Sequence, residues 1–250
     1  MKRLDAALVE LGLAPSRTKA QRLIEAGDVE VLINGEWKLV TQSSYSVKGE
    51  VRVKPGSREL KYVSRGGLKL ESALQTLKLD VTGWRCLDVG TSTGGFADCL
   101  IKHGAAHVTG FDVGHGQLSP KLQTDKKLKH YEGVHIKDLP DHRALGAERR
   151  ELNLVTVDVS FISLSHVLPV LGKILEPGTK LLALVKPQFE VGPQNLDKNG
   201  IVRDSALYGD VKSQVLRDLI KCGFSFQEYF ACGVKGQDGN QEFFVFATRA

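Results

Sequence analysis

The segment Cys86-Leu87-Asp88-Val89-Gly90-Thr91-Ser92-Thr93-Gly94-Gly95-Phe96-Ala97-Asp98 decides the fold of this chain. It predicts a short apolar strand, a glycine-rich turn, and a helix that begins near Gly95. Gly90, Gly94 and Gly95 remove side chains where the backbone must bend tightly and approach a ligand. The helix would direct its free backbone amides toward that ligand.

A second apolar strand, residues 107–112, follows and ends in Asp112. In nucleotide-binding folds an acid about twenty residues beyond the turn accepts hydrogen bonds from ribose hydroxyls. The spacing Asp-x-Gly-x-x-x-Gly differs from the dinucleotide fingerprint, which suits a cofactor with ribose and adenine but no pyrophosphate. We therefore predict S-adenosylmethionine as the cofactor; a turn that only closes a tight corner is the alternative.

The composition is that of an ordinary globular protein, with 250 residues and 42% hydrophobic residues. This length accommodates one large α/β domain and a small module. No apolar run has the length of a membrane-spanning helix, and Met-Lys-Arg-Leu-Asp at the start lacks a signal peptide's apolar segment. The four cysteines are scattered, so we expect reduced thiols in a cytoplasmic protein and no metal site. They are Cys86, Cys99, Cys222 and Cys232.

Positive charge is concentrated in the first quarter of the chain. Residues 1–69 contain 13 basic and 8 acidic residues, whereas the remainder contains 21 of each. This distribution favours a small basic module that binds a polyanion, joined to a neutral enzyme. A solvated basic surface is the alternative.

The first sixty residues predict two helices and a small sheet. The helices are expected at 3–11 and 17–26, and the strands at 29–33, 37–40 and 50–54. Ser16 is a good N-cap for the second helix, and Asn34-Gly35 is a hairpin turn. Ala20, Leu23 and Ile24 would face the core and leave the basic residues of this helix exposed.

This pattern resembles the RNA-binding domain typified by ribosomal small-subunit protein four. The matching residues are Arg3-Leu4-Asp5, Ser16-Arg17, Ala20, Ile24, Gly27, Val29, Val31 and Asn34-Gly35. The apolar members of this set also fit a purely structural core. We predict phosphate contacts from basic side chains of this domain and of the linker after it. They are Arg3, Arg17, Lys19, Arg22, Lys61 and Arg65.

The rest of the chain alternates strands with helices. We predict strands at 85–89, 107–112, 133–136, 153–158, 180–185, 224–231 and 241–248. Helices are expected at 95–103, 163–174 and 205–221. This alternation predicts an α/β, Rossmann-like fold with a mostly parallel seven-stranded sheet. The connection 232–240 is too short for a crossover helix, so the last strand should be antiparallel. The predicted organisation is a small α+β domain at 1–56, a basic linker at 57–66 and a large domain at 67–250.

Polar residues at the carboxyl ends of the strands are the candidates for chemistry. Asp158 and Lys186 each follow an apolar strand, and Glu242 begins the antiparallel strand at the same edge. Lys69 lies near the start of a further predicted helix, which follows Gly67 and precedes the first strand of the large domain. Two lysines and two carboxylates suit methylation of a hydroxyl, because a lysine made neutral by burial and a nearby cation acts as base. Each residue alone also fits a capping or surface role.

With these residues in view, the chain resembles the TlyA-type ribosomal RNA 2′-O-methyltransferases, a family also labelled haemolysin A. The segments Val157–Ser163, Val-Asp-Val-Ser-Phe-Ile-Ser, and Val185–Glu190, Val-Lys-Pro-Gln-Phe-Glu, are the most specific. The family joins the small RNA-binding domain to an FtsJ/RrmJ-type methyltransferase domain. The resemblance implies a catalytic tetrad of Lys69, Asp158, Lys186 and Glu242. It also implies cofactor contacts by Asp88, Gly90, Thr91, Ser92, Gly94, Gly95, Phe96 and Asp112. Where the family often has an asparagine-arginine pair after the third strand, this chain has His135-Ile136-Lys137-Asp138, and we predict Asp138 as a contact to adenine.

Three functions remain open from the sequence. The first is methylation of a ribose 2′-hydroxyl in ribosomal RNA, for which the resemblance implies cytidine. The second is an RNA-binding assembly factor without turnover, and the third is a membrane-active haemolysin, which would need an apolar or amphipathic membrane surface. The sequence does not predict the methylated nucleotide or the oligomeric state.

Overall fold

A computed structural model describes residues 2–236 and 239–250, with the side chain of Ala147 also outside the description. The chain forms two compact units, and the boundary between them is the peptide bond between Tyr62 and Val63. This boundary lies inside the predicted linker 57–66. The linker region contains a 3₁₀ turn at Arg58–Leu60 and the first residues of a helix that begins at Arg65.

In its described part, the N-terminal unit has two helices and five short strands. They are β1 (Lys2–Arg3), α1 (Leu4–Glu10), α2 (Arg17–Glu25), β2 (Val29–Ile33), β3 (Glu36–Leu39), β4 (Ser46–Val47) and β5 (Val51–Val53). The predicted helices and three strands are confirmed to within one residue at each end. The pairing of β1 with β4 was not predicted, because two-residue strands leave no periodic signal.

The local signals act as the sequence indicates. The Ser16 hydroxyl accepts the backbone N–H of Lys19 at 3.2 Å and caps α2. Asn34 and Gly35 both have positive φ, which gives the β2–β3 hairpin the twist that a two-residue turn needs. Leu8, Leu23 and Ile24 are fully buried in the core between the helices and the sheet.

The expected exposure of Lys19 was wrong. Lys19 is only 6% exposed, and its ammonium lies 3.5 Å from the Tyr62 carbonyl oxygen and 3.9 Å from Glu59. Residues 19 and 23 are one helical turn apart, so Lys19 shares the buried stripe with Leu23. Its aliphatic stem packs there while the ammonium reaches polar partners.

The elements of the C-terminal unit alternate as predicted. They are α3 (Arg65–Leu77), β6 (Arg85–Val89), α4 (Gly95–Lys102), β7 (His107–Phe111), α5 (Pro120–Gln123), β8 (Leu128–Tyr131), α6 (Arg143–Glu148), β9 (Leu154–Val157), α7 (Leu164–Ile174), β10 (Lys180–Val185), α8 (Leu207–Lys221), β11 (Phe224–Ala231) and β12 (Phe243–Arg249). Further 3₁₀ turns lie at Ile136–Asp141, Arg149–Glu151, Pro187–Phe189 and Pro193–Asn195.

The sheet confirms the predicted fold class. Its strand order is β11-β12-β10-β9-β6-β7-β8, and β12 runs antiparallel to both of its neighbours. The other pairings are parallel. The chain runs from β6 outward to β7 on one side and later returns to β9 on the other. Such a reversal opens a crevice at the carboxyl ends of the strands, where ligands bind in open α/β sheets.

One predicted strand was misplaced. The third strand lies at Leu128–Tyr131, whereas the predicted strand at 133–136 forms a loop and enters a 3₁₀ turn. β8 is an edge strand that pairs with β7 alone in the described sheet, so it tolerates Lys129 and His130. The apolar residues Val134 and Ile136 instead line a cavity. The short helices α5 and α6 were not predicted.

Within residues 2–236 and 239–250, no helix combines the length and the apolar composition needed to cross a membrane.

Candidate active site

The glycine-rich turn joins β6 to α4 at the reversal point of the sheet. Gly90 has φ +86°, and a Cβ atom at this position would lie 2.5 Å from the carbonyl oxygen of Asp158. At Gly95 a Cβ atom would lie 2.2 Å from the Ser64 hydroxyl oxygen. Both positions therefore require glycine, for the conformation at Gly90 and for close approach at both.

Asp112 follows β7 and fixes the outer side of this turn. Its carboxylate accepts the backbone N–H of Ser92 at 2.8 Å and that of Gly114 at 2.7 Å. Each oxygen keeps a second lone pair for another donor. The Ser92 hydroxyl also donates to the Gln117 side chain at 2.8 Å. Asp112 is thus held where a ligand's hydroxyl groups can reach it.

A cavity of about 540 Å³ opens beside this turn. Three predicted cofactor residues line it, namely Gly90, Ser92 and Asp112. The rest of the lining is largely apolar and comprises Val89, Phe111, Val113, Gly114, Gln117, Val134, His135, Ile136, Leu139, Asp158, Val159, Ser160, Phe161 and Ile162. An apolar slot with a carboxylate at one side matches an adenine joined to a ribose.

A smaller cavity of about 160 Å³ shares Gly90, Ser92, Asp158 and Ser160 with the larger one. The residues that line it further are Ser64, Gly66, Thr91, Thr93, Gly95, Phe96 and Lys186. The two cavities are therefore contiguous.

Other predicted cofactor residues have different surroundings. Asp138 is exposed on the 3₁₀ turn and is absent from the lining of both cavities, so the geometry does not support an adenine contact. Gly94 has φ +90° and precedes α4, where a Cβ atom would clash with Leu122. Thr91 is buried and donates to the Asp88 carbonyl at 3.0 Å. Phe96 is buried, with its ring 6.3 Å from that of Phe244.

Asp88 is fully buried beneath the turn. It accepts the Thr156 hydroxyl at 2.9 Å, while its second carboxylate oxygen has no hydrogen-bond partner in the described structure. Burial raises the pKa of Asp88 to about 7; the Thr156 hydrogen bond opposes this, and the charges of Asp158 and Asp112 add to it. The sequence motif suggested a direct cofactor contact, but the burial favours a supporting position under the turn.

This pKa predicts how stability depends on pH. Between about pH 4 and pH 7 the unfolded chain ionises Asp88 while the folded chain keeps it protonated. The stability that Asp88 contributes is complete at low pH and is lost as the pH rises through about 7. Asp88→Asn stays neutral throughout. From pH 5 to pH 8 the unfolding free energy of the wild type should fall by about 3 kcal/mol more than that of the variant. Urea unfolding measures both, and parallel pH curves would contradict the prediction.

Lys186 directly follows β10, lines the smaller cavity and forms an ion pair with Asp158, which lines both cavities. Its ammonium lies 2.7 Å from an Asp158 oxygen and donates to the Ser160 hydroxyl at 2.9 Å. The approach to Asp158 is off the axis of a regular hydrogen bond, so this contact is electrostatic rather than directional. Lys186 is 9% exposed, which shields the pair from water.

Lys69 and Glu242 form a second buried ion pair. The Lys69 ammonium lies 2.6 Å from a Glu242 oxygen, again outside hydrogen-bond geometry. Val185 pairs with Phe243 in the β10–β12 ladder, so Lys186 and Glu242 occupy the next facing positions. The four predicted catalytic residues thus form two ion pairs, one between Asp158 and Lys186 after β9 and β10, and one between Lys69 on α3 and Glu242 before β12.

Cys232 lies close to members of both ion pairs. Burial raises the pKa of its thiol, and the charges of Lys69, Glu242 and Asp158 all act on it as well. The Cys232 backbone N–H donates to the Glu242 carbonyl at 2.8 Å. Members of both ion pairs therefore lie within electrostatic range of one buried side chain.

Two residues next to Asp158 were missed by the sequence reasoning. Ser160 holds the Lys186 ammonium, and Phe161 is 91% exposed with φ +63°, a conformation rare for a bulky side chain. The Phe161 ring lies 5.2 Å from that of Phe189 and lines the larger cavity. The signal was an aromatic residue and two serines directly after a strand-ending acid.

Glu190 joins the two specific sequence segments. It accepts the Ser163 hydroxyl at 2.5 Å and the backbone N–H of Leu164 at 2.9 Å, at the start of α7. Burial raises the pKa of Glu190, and these hydrogen bonds oppose the rise. Together with the Lys186 and Phe189 contacts, they hold the loop 158–163 against residues 186–190.

In the N-terminal unit, Asp5 orients two of the predicted RNA-binding arginines. The Arg3 and Arg17 guanidinium groups each donate to the buried Asp5 carboxylate at 3.0 Å, and their side chains remain mostly exposed. The hydrogen bond from Arg3 is the largest cause that lowers the pKa of Asp5, and Gln21 and Arg17 add to it.

The remaining predicted RNA-binding residues have varied surroundings. Arg22 is half-buried on α2, whereas Lys61 is exposed with its ammonium 5.5 Å from the centre of the Tyr62 ring. Arg65, in the C-terminal unit, is half-buried and donates to the Lys235 carbonyl at 2.5 Å. Arg3 and Arg17 are the two whose guanidinium groups share one fixed acid.

Among the described residues, no three His, Cys, Asp or Glu side chains lie close enough together to hold a metal ion.

Family models match both parts of the chain. The model described as FtsJ-like methyltransferase matches residues 62–249, and the model of the S4 domain matches residues 2–53.

Relatives match over almost the full length. The 16S/23S rRNA (cytidine-2′-O)-methyltransferase TlyA of Mycobacterium tuberculosis is 39% identical over 243 residues, covering 97% of this chain and 88% of the relative. Hemolysin A of Brachyspira hyodysenteriae is 38% identical over 242 residues, covering 96% and 97%. The solved structure of a proposed hemolysin from Streptococcus thermophilus is 36% identical, with a TM-score of 0.72, and the match covers 100% of this chain and 88% of that one.

Proposed function

Because the chain belongs to the FtsJ-like methyltransferase family, in the TlyA-type form that has an N-terminal S4 domain, we propose that it methylates ribose 2′-hydroxyl groups of ribosomal RNA, with cytidine as the nucleoside and S-adenosylmethionine as the methyl donor. The single observation that carries the proposal is the position of Lys186, which is buried in the lining of the smaller cavity and held by Asp158 and Ser160, two of the residues that line both cavities.

The cavities fit S-adenosylmethionine in chemistry and size. Asp112 would accept the ribose hydroxyls, the slot around Val134, Ile136 and Leu139 would hold the adenine, and the glycine turn would admit the amino-acid part. The cofactor, when bound, supplies a methyl group activated by an adjacent sulfonium. The smaller cavity beside Lys186 would receive the hydroxyl that attacks it.

The two ion pairs would activate that hydroxyl. An alcohol is a weak nucleophile until a base takes its proton, and the buried Lys186 Nζ, in its uncharged amine form, would accept that proton. Asp158 and Ser160 hold Nζ in one orientation, which aligns the proton transfer. Lys69 and Glu242 form the second ion pair, and Glu242 lies at the position before β12 that faces Lys186. A positioned base of this kind contributes roughly 100- to 10,000-fold in rate.

Transfer of tritiated methyl groups to isolated ribosomal subunits tests the proposal. The labelled RNA is digested to nucleosides, and we expect 2′-O-methylcytidine. Label on a base or on another nucleoside would contradict the proposed chemistry or the proposed target. Cofactor binding without any transfer would instead favour an assembly factor.

The N-terminal unit would supply affinity for RNA. Arg3 and Arg17 present two guanidinium groups fixed on one buried acid, an arrangement suited to adjacent phosphates. Because Asp5 already neutralises part of their charge, these contacts should add positioning as well as attraction.

We expect Arg17→Ala to weaken RNA binding by about 5-fold and to lower the slope of log K against log salt by about one ion. Arg217→Ala, an exposed arginine on α8, is the matched control and should have no effect. Filter binding at several salt concentrations measures both variants. An unchanged salt slope for Arg17→Ala would contradict the phosphate contact.

A further inference from the structure

The side chain of Asn240 is 1% exposed and joins two loops at the edge of the active site. Its Oδ1 accepts the backbone N–H of Val202 at 3.1 Å, and its Nδ2 donates to the Gly200 carbonyl at 2.9 Å. An amide offers an acceptor and a donor on two separate atoms of one short side chain, and this buried bridge uses both. Neither loop is part of the sheet.

The first loop follows Lys186. After the 3₁₀ turn at Pro187–Phe189 the chain makes an excursion in which Leu196 and Val202 pair as an isolated bridge. Asp197 closes the tip by accepting the backbone N–H groups of Asn199 and Ile201, both at 2.8 Å. The excursion is thus internally ordered, and Asn240 fixes it to the second loop.

The second loop delivers Glu242. The Gly236 N–H donates to the Asn240 carbonyl at 2.9 Å, and a Cβ atom at Gly236 would lie 2.9 Å from a Glu242 carboxylate oxygen. The Glu242 carboxylate therefore packs directly on the backbone at Gly236, in the turn that Asn240 closes. On its other side it meets Lys69.

The helix that carries Lys69 holds this same loop from the opposite flank. Arg65 on α3 donates to the Lys235 carbonyl, and a Cβ atom at Gly233 would meet the Ser72 hydroxyl at 2.6 Å. The loop is therefore anchored to α3 at one end and to residues 200–202 at the other. Loss of the Asn240 bonds to residues 200–202 would therefore loosen the backbone at Gly236, on which the Glu242 carboxylate packs.

We propose that Asn240 is a positioning residue for methyl transfer, which acts by fixing the Gly236 turn and through it the Glu242 carboxylate beside Lys69. The inference rests on the proposed function, because it assigns Asn240 to the same reaction. Asn240 is absent from the lining of both cavities, so the effect should fall on the transfer step and not on cofactor affinity.

A double-mutant cycle tests this inference, with single-turnover methyl transfer to ribosomal subunits as the readout. Asn240→Ala should lower the rate about 10-fold in the wild type but less than 2-fold in the Glu242→Gln background, because residues that act as a unit are not additive. Asn195→Ala is the matched control, since in the described part of the chain that side chain donates to the Val191 carbonyl at 2.7 Å, within its own excursion. It should retain the wild-type rate, and cofactor affinity should stay within 2-fold in every variant.

Two outcomes would overturn the inference. One is an Asn240→Ala rate within 2-fold of the wild type, and the other is an equal loss in both backgrounds, as expected of a general structural role. If Asn240→Ala does not fold, Asn240→Asp, which keeps the acceptor for Val202 and loses the donor, is run through the same cycle with the same criteria. Failure of the proposed function is distinct, because the wild type itself would then transfer no methyl group to RNA.

Discussion

Lys186→Met should lower the rate of methyl transfer by about 100- to 10,000-fold, the range that a positioned general base contributes. Methionine keeps a flexible apolar side chain of similar length at this position after β10, but it removes the nitrogen that contacts Asp158 and Ser160. The cofactor cavity of about 540 Å³ is not lined by Lys186, so cofactor affinity should stay within about 3-fold. Single-turnover transfer and calorimetric titration measure the two effects separately.

A lysine on the same strand provides the matched control. Lys180 begins β10, and its ammonium lies over the Trp84 ring at the far end of the strand from the active site. Lys180→Met makes the same chemical change and should retain the wild-type rate. A rate for Lys186→Met within 5-fold of that control would contradict the proposed mechanism while leaving the methyltransferase activity intact.

Lys186→Arg separates two roles that a lysine can have. Arginine keeps the positive charge but does not give up a proton under ordinary conditions. If Lys186 is the base, the arginine variant should be as slow as the methionine variant. A substantial recovery in the arginine variant would assign Lys186 an electrostatic role instead.

The sequence was informative for those polar residues of the candidate site that lie at the ends of strands. Asp158, Lys186 and Glu242 were placed together because carboxyl ends of parallel strands, and the start of an antiparallel one, meet at one edge. The same reasoning placed the glycine turn and Asp112. Side chains that face the crevice from strand ends are fixed by topology, and topology follows from the alternation of apolar segments.

The failures have equally definite causes. The apolar run at 133–136 looked like a strand, yet its residues line a cavity, and an apolar pocket wall has the same composition as a strand. Lys19 looked exposed because charge usually marks the solvated face, but its stem joins a buried stripe. Ser160 and Phe161 lie in a loop, where periodicity gives no information on side-chain direction.

Two features of Phe161 are energetically unfavourable in the folded chain. Its ring is 91% exposed, and its left-handed backbone costs of order 1–3 kcal/mol in a residue with a bulky side chain. The loop is nevertheless held firmly, by Glu190 at Ser163 and by Lys186 at Ser160. Strain that the surroundings maintain around an exposed aromatic ring indicates a ligand-binding role.

Phe161 directly follows Ser160, whose hydroxyl accepts a hydrogen bond from Lys186, the proposed base. Because Lys186 is buried, we expect the ribose that reaches it to belong to a nucleotide that has left the stack of neighbouring bases, and such a base is commonly stabilised on an aromatic side chain. Phe161, backed by the Phe189 ring at 5.2 Å, offers that surface at the rim of the cavity. Stacking of one base on an aromatic ring contributes about 1–3 kcal/mol.

We therefore expect Phe161→Ala to lower kcat/KM for ribosomal RNA by about 30-fold, within the range that loss of one stacked base allows. Phe161→Trp should retain most of the activity, because stacking needs a flat ring and not a particular one. Phe226→Ala, which removes an exposed ring from β11, is the matched control and should have no effect.

The Phe161 ring also lines the cofactor cavity, so calorimetric titration with the cofactor decides whether the ring contacts the target base or the cofactor. Unchanged cofactor affinity with slow transfer assigns the ring to the target base, whereas a 30-fold loss of cofactor affinity would show that it covers the cofactor instead.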